Sequence, residues 1–487
     1  MGDAVMLSAI VPHLPQGGQR HGADVQISGV THDSRSVVPG DLFVAIPGAV
    51  VDGHDYVEMA LERGASAAIV EHGDTAPNRV VVPDARAALA WAAAVVYGHP
   101  SSRLSVVGVT GTNGKTTVTH LVERILMAAG RTSAIVGTVG ARIGGEARPM
   151  TRTTPEASDL QRLLASMVDA GVSVAAIEVS SHALALHRVD AVRFRVAAFT
   201  NLTEDHLDFH GDMGRYFATK ARLFAPSRAE HAVLWIDDPA GFGLAETAEI
   251  PRTTVGIAKH ADVRGTDLIE SIDGSRFRAV TPVGEFPVEV SLPGRFNVQN
   301  ALVAVGIALE LGIEPEAVRA GLASIGTIPG RFERITAPGG FSVFVDYAHT
   351  PDAIEAVVRS ARRLESQRLI VVFGAGGDRD REKRPAMGRA AGAADLAILT
   401  SDNPRSEDPL AIMAAVRSGA PPGSTFVEEP DRRAAIAHAL AEAREGDLVL
   451  VLGKGHETGQ DVAGVVHPFD DREVVRDLLG RLDEVPR

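Results

Sequence analysis

An α/β chain of three domains is the fold class that this sequence predicts, and three observations carry the expectation. Apolar runs of strand length alternate with helical patterns along most of the chain. Two glycine- and proline-marked breaks, at 98–102 and 328–330, interrupt that rhythm. The length, 487 residues, exceeds what one hydrophobic core sustains and fits roughly three domains. The expected domains cover 1–101, 102–328 and 329–487.

The N-terminal domain holds strand-like runs at 41–46 and 67–70 and an alanine-rich helix from about 84 to 97, a small α/β unit. In the central domain, 105–109, 174–179, 196–200 and 232–236 read as buried strands between helices. That alternation predicts a mostly parallel sheet covered on both faces. Runs at 341–345, 369–373, 396–400 and 448–452 repeat it as a Rossmann-like third domain. No run of about 18 apolar residues suggests a membrane span, and the N-terminus lacks a basic flank. Cysteine is absent, which removes thiolate and disulfide chemistry. A formal net charge of −14 argues against nucleic acid as a partner. A cytoplasmic protein is expected.

The turn Gly111-Thr112-Asn113-Gly114-Lys115-Thr116-Thr117 is the sharpest chemical signal. It lies between the strand at 105–109 and an amphipathic helix that carries Val118, Leu121, Ile125 and Leu126 on one face. Such a turn aims backbone N–H groups and a helix N-terminus at an anion. Lys115 then reaches the β/γ-phosphates of ATP and the Thr116 hydroxyl ligates Mg²⁺. The central sheet is therefore expected to be P-loop ATPase-like, although Val109 stands where the strict pattern has glycine.

Glu178 ends a predicted strand, where a carboxylate is well placed for Mg²⁺. A neighbouring strand runs into Asn201-Leu202-Thr203-Glu204-Asp205-His206-Leu207-Asp208, rich in ligating side chains. On residue type alone, Glu178 and His206 also suit a solvated surface, and Lys220 reads as a solvated helix face. Asn297 and Asn300 read as a helix cap and an exposed polar position.

These segments, with Leu292-Pro293-Gly294-Arg295-Phe296-Asn297, Pro329-Gly330-Arg331-Phe332-Glu333 and Asp346-Tyr347-Ala348-His349, fall in the order and spacing of the Mur ligases. That family comprises ATP-dependent amino-acid ligases of peptidoglycan precursor synthesis, and the resemblance covers essentially the whole chain. It implies that Thr116 and Glu178 hold Mg²⁺, with His206 near a second ion. It implies that Lys220 is carboxylated by CO₂, since a carbamate offers hard cations anionic oxygens where an ammonium repels them. Asn297 and Asn300 are implied at the adenine, and Arg331 and Asp346 at the nucleotide.

Within the family the chain resembles the branch that adds a diamino acid to UDP-N-acetylmuramoyl-L-alanyl-D-glutamate. Thr31-His32-Asp33-Ser34-Arg35 resembles that branch's uridine-nucleotide domain, which implicates His32 and Ser34. Thr153, Thr154, Ser180 and Arg188 match its contacts to the muramoyl-peptide substrate, while Leu186 stands where many relatives have glutamine. The quartet Asp402-Asn403-Pro404-Arg405 marks members that use meso-diaminopimelate rather than lysine. A guanidinium at Arg405 suits the extra distal carboxylate of diaminopimelate. Arg379, Gly453 and Glu457 match the remaining acceptor contacts. Gly374-Ala375-Gly376-Gly377-Asp378 follows a strand but lacks the dinucleotide spacing.

The implied reaction makes an acyl phosphate from the D-glutamyl γ-carboxylate and ATP, and an amine of diaminopimelate then displaces phosphate. Lys115, Lys220, His206 and Arg331 are the implied catalytic residues. The expected assembly is a monomer that closes its domains over substrates. The alternatives are the same ligase with L-lysine as acceptor, a folylpolyglutamate-type ligase, and a P-loop ATPase switch without ligation chemistry.

Overall fold

Three separate sheets organise the chain, described in a computed structural model for residues 4–48, 51–72, 76–364 and 366–483. The first has five strands in the spatial order Gln19–His21, Arg79–Val81, Ala67–Val70, Asp41–Val44, Gly29–Thr31. All pairs are parallel except the edge strand Gln19–His21. Helix Ala85–Val96 starts where the Asp84 carboxylate accepts the Ala87 N–H at 2.9 Å. Its small alanine side chains let it pack closely, and it meets helix Ala157–Asp169 of the next sheet layer.

The central sheet has eleven strands. Seven neighbours from Ser133–Gly137 to Val263–Ser271 run parallel, and antiparallel hairpins extend both ends. Strands Ser105–Thr110 and Val174–Glu178 are near-continuous apolar runs because helices cover both faces. Helix Lys115–Ala128 turns Val118, Leu121, Val122, Ile125 and Leu126 into one core beside helix Arg295–Glu310. Each such side chain removed from water contributes about 1.5–3 kcal/mol. The sequence reading did not anticipate the hairpins over Val263–Ser271, Gly274–Thr281 and Gly284–Val290.

Register decides where the chemistry goes. Glu178 pairs with Val109, and Phe199 with Thr110, so three parallel strands end level. The loops that follow, beginning at Gly111, Val179 and Thr200, emerge along one carboxyl edge, where ligands of open α/β sheets bind.

The third sheet runs Glu333–Thr336, Ser342–Asp346, Leu448–Leu452, Leu369–Phe373, Leu396–Leu399, Phe426–Glu428, parallel except for its first strand. Asp346 pairs with Leu452, which brings the loops after both strands to one edge. A fully buried ion pair, Arg432 Nη2 to Asp471 Oδ2 at 2.6 Å, stands behind that edge, and Arg432 also donates to the Leu452 carbonyl at 2.9 Å. No helix among the described residues is long and apolar enough to cross a membrane.

Candidate active site

Gly111 and Gly114 turn the chain from strand to helix, and Lys115 is the first helical residue. Gly114 sits at φ +90°, and a Cβ there would lie 2.3 Å from Asn300 Oδ1, so only glycine fits. The Lys115 ammonium curls back over the loop to the Gly111 and Thr112 carbonyls, at 2.9 and 2.7 Å. Burial lowers its pKa, and Glu178 and Asp205 oppose that shift. The Thr200 hydroxyl donates to the Asn113 carbonyl at 2.6 Å, and Asn201 Oδ1 accepts the Asn113 N–H at 2.9 Å. The neighbouring strand end thus braces the cradle.

A cavity of about 260 Å³ opens on the helix side of this cradle. Asn113, Thr116 and Thr117 border it from the loop, Asn297 and Asn300 from helix Arg295–Glu310, and Arg331 and Asp346 from the third domain. Neither asparagine is an exposed or capping residue. Gly294 is the N-cap, and both side chains are buried, with Asn297 Nδ2 donating to the Pro293 carbonyl at 2.8 Å. Arg331 donates to Thr116 Oγ1 at 3.0 Å and lies 4.7 Å above the Tyr347 ring. Asp346 accepts the N–H groups of Phe332 and Ala348 at 2.6 and 2.8 Å, and burial raises its pKa.

A larger cavity of about 590 Å³ continues from the cradle. Thr116, Glu178, Asp205 and His206 all line it. Glu178 is buried and fixed by Thr138, whose N–H and hydroxyl donate to its two oxygens at 2.8 and 2.9 Å. Burial pushes the His206 imidazole down to about 4, against the pull of Asp205. Carboxylate and hydroxyl oxygens beside a phosphate cradle fit a hard cation such as Mg²⁺. Glu178, Asp205 and His206 are not drawn into a compact ligand group. Among the described residues such a group is formed by Asp52, His54 and His72. There His54 is already committed, with Nδ1 at 2.6 Å from Asp52 and Nε2 accepting the Glu71 N–H at 2.9 Å.

Lys220 is 1% exposed rather than solvated. Helix Met213–Ala221 turns Tyr216 and Lys220, one turn apart, toward the cradle. The Lys220 amine donates to the Gly111 carbonyl at 2.8 Å and lies 4.4 Å from the Tyr216 ring centre. Burial, with Lys115 adding repulsion, holds its pKa well below the ordinary lysine range. Lys220 borders neither cavity.

Thr153, Thr154, Ser180 and Arg188 line the far side of the 590 Å³ cavity. Thr154 Oγ1 donates to the Glu178 carbonyl at 2.7 Å, which ties this wall to the end of strand Val174–Glu178. Arg188 pairs with the buried Glu156 at 2.9 Å. Leu186 only ends the short helix Ser181–Ala185. A further cavity of about 290 Å³ joins the first and central domains, lined by His32, Arg35, Arg152 and Arg162 among others. His32 Nδ1 meets Ser158 Oγ at 3.1 Å. Ser34, by contrast, is buried and does not border this cavity.

The acceptor candidates converge on a cavity of about 280 Å³ with Arg379, Asp402, Asn403, Arg405, Gly453 and Glu457 in its wall. Pro404 is buried behind it. Asn403 Nδ2 donates to Glu457 at 2.9 Å, and the buried Lys454 ammonium donates to Asn403 Oδ1 at 3.0 Å. Tyr347 lines the 260, 280 and 590 Å³ cavities alike. Tyr347 and Asp205 stand inside quoted motifs without an assigned role, and neither Thr138 nor Lys454 was given one. A threonine after a strand carries no pattern of its own. Asp205, beside His206, had the signal of a second acid at a strand end.

The Mur ligase middle domain pattern matches residues 109–308. The Mur ligase glutamate ligase domain matches 330–455, and the Mur ligase family catalytic domain matches 26–97. A Syntrophomonas wolfei protein named UDP-N-acetylmuramoyl-L-alanyl-D-glutamate–2,6-diaminopimelate ligase is 46% identical over 469 residues, 94% of this chain and 95% of its own. This chain belongs to the Mur ligase family. A ligase of the same name from Geobacillus thermodenitrificans is 44% identical over 96% of this chain and 98% of its own. A solved structure bearing that name superposes with a TM-score of 0.70 at 34% identity, covering 99% of both chains. The MurF ligase of Thermotoga maritima in complex with ADP, 20% identical over 94% of this chain and 98% of its own, shares the Mur ligase fold with a TM-score of 0.63.

Proposed function

We propose that the chain is an ATP-dependent ligase that joins an amine of meso-diaminopimelate to the D-glutamyl γ-carboxylate of UDP-N-acetylmuramoyl-L-alanyl-D-glutamate, forming an amide in peptidoglycan precursor synthesis. The observation that carries this reading is the convergence of three cavities on Tyr347. One has the phosphate cradle, one the Thr154–Arg188 wall, and one the Arg405–Glu457 wall. A two-step ligation needs nucleotide, acyl donor and amine to meet at such a junction.

In the first step the γ-carboxylate attacks the γ-phosphorus of ATP, and ADP leaves. Two anions meet, so catalysis rests on positioning and charge neutralisation. Lys115 and Arg331 supply cationic groups, with Arg331 held by Thr116 and Tyr347. Mg²⁺ at Thr116 and Glu178, with His206 near a second ion, would neutralise further phosphate charge. In the second step the neutral amine attacks the acyl carbon, and phosphate departs from the tetrahedral intermediate. Asn297, Asn300 and Asp346 receive the nucleotide, His32 the uridine part, and Arg188 the muramoyl-peptide. Arg405 takes the distal carboxylate of the acceptor, and Glu457 its ammonium.

Lys220 is read as the site of carboxylation. Its depressed pKa favours the neutral amine, the form that adds CO₂. The same reading has the enzyme act in the cytoplasm as a monomer. The test is product mass and phosphate release from Mg²⁺-ATP, the UDP-muramoyl-dipeptide and diaminopimelate. A tripeptide nucleotide with one phosphate per product is expected. Phosphate release without need of the amino acid would refute the reading.

A further inference from the structure

The hairpin of strands Gly459–Val462 and Val465–Pro468 stands outside the three large sheets. Its outer strand is open to solvent, with Val465 57% and Val466 67% exposed. Its inner strand runs along the segment 402–405 and is tied to it by three hydrogen bonds, with a fourth from the turn residue Ala463. Gln460 Nε2 donates to the Asp402 carbonyl at 2.7 Å, and the Asp461 N–H to Asn403 Oδ1 at 3.0 Å. The Arg405 N–H donates to the Asp461 carbonyl at 3.0 Å, and the Ala463 N–H to the Arg405 carbonyl at 2.7 Å.

Arg405 itself sits at φ +51°, a left-handed conformation that a side chain-bearing residue keeps only where its surroundings over-determine it. The bonds on both sides of its peptide unit supply that constraint. On the other flank, Arg405 Nη1 donates to the Gly377 carbonyl at 2.5 Å, using one N–H of the fork. Asn403 spends its amide within the protein, on Asp461, Lys454 and Glu457. Gln460 does not line the acceptor cavity.

We propose that the strand Gly459–Val462, with Gln460 as its side-chain contact, is the positioning element of acceptor recognition. It holds 402–405 in the conformation that presents Arg405 to the distal carboxylate of a dicarboxylic diamino acid. The inference rests on the acceptor reading above. Gln460 touches no substrate and acts through Asp402 and Arg405, so its loss weakens acceptor binding and selectivity and leaves the nucleotide steps alone.

Two variants test this in the full-length enzyme. Gln460→Leu keeps the length and removes the donor, and Gln460→Glu sets an acceptor against the Asp402 carbonyl. Steady-state kinetics are read with diaminopimelate and with lysine, beside thermal unfolding. For Gln460→Leu, KM for diaminopimelate rises about tenfold, equivalent to about 1.4 kcal/mol, one hydrogen bond. Selectivity over lysine falls by a similar factor, kcat and KM for ATP stay within twofold, and Gln460→Glu is worse. Two variants that fold and keep wild-type KM and selectivity overturn the proposal. A parallel rise of KM for ATP marks general damage and overturns it too. A wild-type enzyme that takes lysine as readily as diaminopimelate overturns the acceptor reading, and the brace with it.

Discussion

Replacing Gly137 by alanine should disable the enzyme without unfolding it. Gly137 ends strand Ser133–Gly137, beside the strand that Glu178 terminates. A Cβ at 137 would lie 2.0 Å from Glu178 Oε1 and 2.6 Å from its Cδ. Ordinary contact begins at 3.4 Å, so the carboxylate must retreat by roughly 1.4 Å. That retreat breaks the two bonds from Thr138 that aim the carboxylate into the cavity. A misplacement of about 1 Å at a reacting centre costs about 10²-fold, or about 2.7 kcal/mol of barrier. Phosphate release at saturating substrates, titrated with Mg²⁺, is the assay. We expect kcat about 100-fold lower and a higher Mg²⁺ requirement. Tm should fall by a few degrees, because a buried carboxylate loses two hydrogen-bond donors while the fold around it is kept. A Gly137→Ala enzyme within threefold of wild-type kcat, with the same Mg²⁺ dependence, would refute the role given to Glu178.

Three other perturbations follow from the same geometry. Arg331→Lys loses both the bond to Thr116 and the stacking on Tyr347, and kcat should fall 10- to 100-fold, about 1.4–2.7 kcal/mol, in steady-state assays. Lys220→Met replaces a buried amine by a side chain of similar length, so calorimetry should find Tm unchanged or raised while ligation is lost. Glu407 is held at about 2, below its ordinary 4.5, by hydrogen bonds from Arg384. Its folded pKa is the lower one, so its stabilisation is present above pH 4.5 and is lost as pH falls toward 2. Glu407→Gln should lower Tm at pH 7 and flatten the decline of Tm between those two pH values.

The legible parts of this chain were those whose signals are local. Strands at 67–70, 369–373 and 448–452 are short apolar runs between breakers, and they fold as Ala67–Val70, Leu369–Phe373 and Leu448–Leu452. The cradle was legible because glycine spacing and the following amphipathic helix agree. Lys220 was marked only by the family resemblance, and its own segment read as a solvated face, because burial of a lysine depends on what its helix packs against. Asn297 and Asn300 looked like surface residues for the same reason, since their cover comes from the cradle and the third domain. The alternation of Ser275, Phe277 and Ala279, all buried, did carry a strand signal in Gly274–Thr281 that the parallel-sheet expectation passed over. The hairpin at 459–468 offered no apolar period, since its outer strand faces water.

The central claim is tested most directly by the acceptor itself. Rates of UDP-linked tripeptide formation, measured by product mass with meso-diaminopimelate and with L-lysine, should differ by several orders of magnitude in kcat/KM, because lysine leaves the Arg405 guanidinium without its carboxylate. Arg405→Ala should erase most of that difference by weakening the diaminopimelate reaction. Equal rates for the two acceptors in the wild-type enzyme, or an Arg405→Ala enzyme with undiminished preference, would contradict the account.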